Sequence, residues 1–124
     1  MTLRLMACGM AVMIAIGGFG GLVRLHPAAG AMTKTVTFLN VELDGSRIWL
    51  PGVLVLKRGE EVTVKLINKH KDPHGFAIDE LKVQVIVDGA STKDVTLKSA
   101  RTGTFRLYCH LHPAHVGGQI IVNP

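Results

Sequence analysis

The chain has 124 residues, of which 14 are Lys or Arg and 9 are Asp or Glu, giving a formal charge of +5 with 48% apolar residues. That length has room for one domain. The lysines are scattered instead of run together, which argues for a solvated surface and against a nucleic-acid patch.

Read from its start, the chain opens with the marks of an export signal. A basic residue, Arg4, leads into the apolar stretch at residues 5–16, followed by glycines and then Ala29-Gly30-Ala31, the small-x-small form that a signal peptidase needs. Residues 1–31 are therefore expected to be a signal peptide and residues 32–124 the working domain, placed in the periplasm or otherwise outside the cytoplasmic membrane. The competing reading is an uncleaved membrane anchor, since Arg24 is the only charge in residues 5–25. Cys8 resembles a lipoprotein cysteine, but most of the apolar core follows it. Without the signal, Cys109 is the sole cysteine, so an intramolecular disulfide is excluded and the thiol needs another use.

After residue 31 no dozen residues keep a helical period; alternation with period two recurs instead. Val62, Val64 and Leu66 alternate with Glu61, Thr63 and Lys65. Leu81, Val83, Val85 and Val87 form a second such run, and Phe105 and Leu107 a third. Further strands are expected over residues 35–41, 53–57, 93–98 and 119–122. Turn signals separate them at Asp44-Gly45, Pro51-Gly52, Arg58-Gly59, Asp72-Pro73, Asp88-Gly89 and Thr102-Gly103. Seven or so short strands of this kind predict an all-β antiparallel sandwich with loops gathered at its two ends.

The chemistry concentrates between residues 108 and 118. Cys109, His110, His112 and His115 lie within seven residues, and a thiolate with histidines at three-residue steps suits copper or zinc. His74, in the turn after the strand at residues 61–67, lies 35 positions before Cys109, enough for the chain to leave one end of a sandwich, form two strands and return. Two imidazoles and one thiolate are the ligand set of a trigonal copper site, and His115 is placed to be a fourth ligand. His110 should face away from the metal, because neighbouring side chains on a strand point in opposite directions. His70 reads as a solvated turn residue, and Trp49 and Phe76 as packing.

At these residues the chain resembles the cupredoxins. Cys109, His112 and His115 are spaced similarly to the ligands of the amicyanins, where methionine takes the last place. Lys57-Arg58-Gly59-Glu60, Asn68-Lys69, the residues from His74 to Asp79 and those from Cys109 to Pro113 are similar to segments of the nitrosocyanins, the red copper branch of the family. The resemblance covers roughly residues 50–122. It implies a Greek-key β-sandwich, one copper ion per chain, the ligand set His74, Cys109, His112 and His115, and an Asn68 that hydrogen-bonds across to the Cys109 loop. It departs from the nitrosocyanins in having His74 where they carry a glutamate, which restores the ligand of ordinary blue copper proteins. An imidazole from His115 in place of a distant thioether should lower the reduction potential and give a green, red or purple protein.

The leading expectation is a one-electron carrier cycling between Cu(I) and Cu(II) and serving redox partner proteins, with no nucleic-acid partner. Without Arg4 and Arg24 its charge is 12 minus 9, or +3, which would help steer an acidic partner. The alternative is a nitrosocyanin-like enzyme or sensor that binds nitric oxide or another small ligand at the copper. A copper chaperone fits less well, since only Met32 remains among the methionines; a structural zinc site is the non-redox reading. Haem-attachment, phosphate-loop and binuclear copper motifs are absent from the sequence.

Overall fold

The computed structural model describes residues 33–124. The expected signal peptide, and with it the question of cleavage or anchoring, lies outside the described residues. The described chain forms nine strands: β1 (Lys34–Leu43), β2 (Ser46–Leu50), β3 (Val53–Lys57), β4 (Glu61–Asn68), β5 (His74–Ile78), β6 (Val83–Val87), β7 (Thr92–Lys98), β8 (Gly103–Leu107) and β9 (Gly118–Asn123). Alternation drives most of them. In β4, Val62, Val64 and Leu66 are buried while Glu61 and Lys65 are exposed. In β3, Leu54 and Leu56 are buried while Val53, Val55 and Lys57 face out. The Asp44-Gly45 signal is a hairpin turn, both residues having the positive φ (49° and 76°) that a two-residue connection between right-twisted strands requires.

One sheet has the order β2-β1-β4-β7 and a second β3-β9-β8. The β5-β6 ribbon joins the second through paired backbone hydrogen bonds between Ala77 and Tyr108, at 2.9 and 3.1 Å. The expected all-β sandwich is thus present, with two pairings that differ from the antiparallel rule. β1 runs parallel to β4, and β3 runs parallel to β9. Alternation reports which face is buried and is silent on strand direction.

Between the sheets lies one apolar core that includes Phe38, Trp49, Leu56, Leu66, Phe76, Ile78, Leu97, Leu107 and Ile120. Phe76 takes edge-on contacts from Phe38 and Trp49, with ring centroids 5.6 and 5.7 Å apart. Each large side chain buried this way contributes roughly 1.5–3 kcal/mol relative to leaving it in water.

Three local expectations are corrected. β2 and β5 were not among the expected strands; every residue of β5 is buried, so it offers no alternation to read. The run expected to start at Leu81 starts at Val83, because Asp79–Leu81 is a 3-10 turn and Lys82 has φ 55°, which breaks the extended chain. Four strands, β5 to β8, lie between His74 and Cys109, where two were expected.

Candidate metal centre

Three elements converge at one end of the sandwich. His74 is the first residue of β5 and not a turn residue as expected, and its side chain is wholly buried. Cys109 follows β8 and is 3% exposed. His112 and His115, both half-buried, sit in the loop to β9. That loop is wound by successive turns, with His112 N–H donating to Cys109 O (3.2 Å) and His115 N–H to His112 O (3.0 Å). The loop is tied to β2 where Val116 N–H donates to Arg47 O at 3.0 Å.

One ligand atom from each of His74, Cys109, His112 and His115 lies within 4.8 Å of all the others. The Cys109 sulfur is 3.5 Å from His112 Nδ1. Ring centroids are 5.2 Å apart for His74 and His112, 5.0 Å for His74 and His115, and 4.5 Å for His112 and His115. His110 is not in the cluster, in line with the expectation that it faces away.

The environment suits a soft or borderline cation. Both His74 nitrogens and His115 Nδ1 are buried without a hydrogen-bond partner. An orphaned buried polar atom costs roughly 1–3 kcal/mol, so such a group calls for a partner. Burial, the neighbouring His115 and His112, and then His70 and Arg47 hold the His74 pKa down at about 4. Burial, and then the neighbouring His112, Arg47 and His70, also lower that of His115. Both imidazoles are therefore neutral at pH 7, the form that binds a metal. The thiol is prepared as well: Gly75 N–H donates to Cys109 Sγ at 3.2 Å, a bond that stabilises negative charge on sulfur. The donor set of one sulfur and three imidazole nitrogens fits copper or zinc.

The supporting residues were mostly beyond the sequence reading. Trp49 packs in the core as expected, but its Nε1–H also donates to Gly75 O at 2.8 Å. His110 lies against Gly75 so closely that a Cβ there would stand 2.5 Å from His110 Nδ1. It is half-buried and not a plain surface residue. Asn68 does not reach the Cys109 loop. Its Nδ2 donates to the carbonyls of Asp72, Val87 and Asp88 at 2.7, 3.2 and 3.1 Å, and its Oδ1 accepts from His70 N–H at 3.0 Å. The asparagine therefore shapes the turn that delivers His74. His70, expected in solvent, is half-buried against the His74 ring. Arg47 approaches Asp72 in that turn at 4.0 Å and also pairs with Glu42 at 3.3 Å.

A family model described as a cupredoxin-like domain matches residues 13–122. Nitrous-oxide reductase of Cupriavidus necator is 42% identical over 57 residues, which are 44% of this chain and 9% of that protein. The chain thus spans a small part of the curated relative it matches. Among solved structures, copper nitrite reductase from Nitrosomonas europaea superposes with a TM-score of 0.58 at 24% identity, covering 74% of this chain and 42% of that one. The multicopper oxidase McoA from Aquifex aeolicus gives 0.66 at 12% identity, covering 80% and 31%. A copper-binding protein studied in its apo form gives 0.54 at 17% identity, covering 72% and 86%. At these identities the structural likenesses establish the fold alone.

Proposed function

The chain belongs to the cupredoxin-like domain family, and from that premise we propose that it is an exported copper protein that carries single electrons between redox partners. The observation that carries this reading is the buried set His74, Cys109, His112 and His115, one sulfur and three nitrogens held at one end of a rigid sandwich. Copper bound there would supply a one-electron Cu(I)/Cu(II) couple. The protein's share is to fix the donors. His74 is set by a strand, Cys109 by the Ala77–Tyr108 backbone pair just before it, and His112 and His115 by consecutive turns closed against Arg47. Ligands preset in this way move little between oxidation states, which suits fast electron exchange. A nitrogen donor from His115 would favour Cu(II) and so a low potential.

The test is to load the purified protein with copper, record its absorption and paramagnetic resonance spectra, and titrate it with reductant. A thiolate-to-copper band that bleaches and returns in a reversible one-electron step is the expected result. A colourless protein that prefers zinc and shows no redox step would overturn it. His112 and His115 are only half-buried, which keeps small-ligand binding open as a second reading. Adding azide or nitric oxide separates the two, since a carrier with four protein ligands should leave both spectra unchanged.

A further inference from the structure

His70 is left over by the four-donor site, yet it is not placed like a spare surface residue. Its Nε2 is buried and has no hydrogen-bond partner. Its ring stands against that of His74 with centroids 5.2 Å apart and planes at 62°. Two imidazoles that share a tetrahedral ion at about 2.0–2.1 Å place their ring centroids roughly 5 Å apart. The His70–His74 spacing therefore equals that of the ligand pair His74 and His112, also 5.2 Å. The backbone of His70 is fixed from both sides, its N–H by Asn68 Oδ1 at 3.0 Å and its carbonyl by Ala90 N–H at 2.7 Å. His115, by contrast, lies in a loop whose residues Pro113, Ala114, Val116 and Gly117 are exposed.

We propose that His70 is a reserve ligand of the same metal ion, an imidazole on the turn before β5 that takes the fourth position when His115 leaves it. In this exchange the His70 side chain would turn towards the ion about a backbone held at both its N–H and its carbonyl. His70 thereby keeps the donor set at one thiolate and three imidazoles while the exposed loop opens. The inference rests on the copper reading above and adds a fourth histidine to the centre.

The experiment compares copper-loaded wild type, His115→Ala, His70→Ala/His115→Ala and His70→Gln/His115→Ala. Pulsed paramagnetic resonance counts the coordinated imidazoles, and competition with a chelator gives the copper affinity. Three imidazoles are expected in wild type and again in His115→Ala. Two are expected in both double variants, with affinity at least tenfold below that of His115→Ala. Added imidazole should restore the third nitrogen in the double variants. Glutamine keeps the volume and polarity of the site, so a loss shared by the Ala and Gln variants reports ligation and not packing. Equal imidazole counts and equal affinities in His115→Ala and the double variants would overturn the proposal. Failure of wild type to show any thiolate-to-copper band would instead sink the copper reading beneath it.

Discussion

Replacing Gly75 with alanine tests the support around the thiolate. Gly75 sits between His74 and the core; its N–H is given to Cys109 Sγ and its carbonyl receives the Trp49 indole. A Cβ there would meet His110 Nδ1 at 2.5 Å, His110 Cε1 at 2.7 Å and His110 N at 3.0 Å. The imidazole would have to retreat by about 1 Å to regain a van der Waals contact of ~3.5 Å. His110 is covalently next to Cys109, as Gly75 is next to His74, so the displacement falls on two ligands at once. Overpacking of this size costs roughly 1–3 kcal/mol, and at about 2 kcal/mol the metal-free domain should melt roughly 10 °C lower. Thermal melts of Gly75→Ala, His110→Ala and the double variant form a cycle. Removing the His110 ring should recover most of the loss, with an interaction energy of about 1 kcal/mol or more. Melting of Gly75→Ala at the wild-type temperature, or strictly additive losses in the double variant, would refute the assigned contact.

Replacing His115 with methionine should raise the reduction potential and make the copper protein bluer; identical potential and colour would show that His115 does not bind. Asn68→Asp sets an acceptor against three carbonyl oxygens and should lower stability by about 3 kcal/mol in urea unfolding, whereas an unchanged midpoint would remove its role in the turn. In the metal-free protein the His74 pKa is about 4 when folded, against ~6.5 unfolded. The unfolded chain then takes up a proton first as pH falls. Stability is full above pH ~6.5 and declines towards pH 4 by on the order of 3 kcal/mol, and a flat denaturation profile across that window would contradict the burial of a neutral His74.

The parts of the centre legible in the sequence were those written in local spacing. Cys109, His112 and His115 share one loop, and His74 announced itself by position and residue type. The strand β4 was legible because its wet face carries Glu61, Thr63 and Lys65 and its dry face Val62, Val64 and Leu66, whereas β5 is dry on all five residues and gives no contrast. What escaped depends on partners far along the chain. Trp49 meets Gly75 across 26 residues, and Asn68 meets Val87 across 19. His70 looked like a solvated residue because its neighbours are lysines; the burial of its Nε2 is set by the packing of the turn against His74.

The central position of β9 carries a consequence for how the molecule assembles. β9 pairs in parallel with β3, 66 positions earlier in the register Val53↔Gln119, and antiparallel with β8. A sheet whose middle strand is supplied so late is dominated by contacts between distant parts of the chain, and such topologies fold slowly because loop-closure entropy is spent before the contacts form. Until β9 inserts, the loop carrying Cys109, His112 and His115 has at its far end only the tie of Val116 to Arg47 in β2. A thiol buried only once this sheet closes is open to oxidation for as long as closure takes.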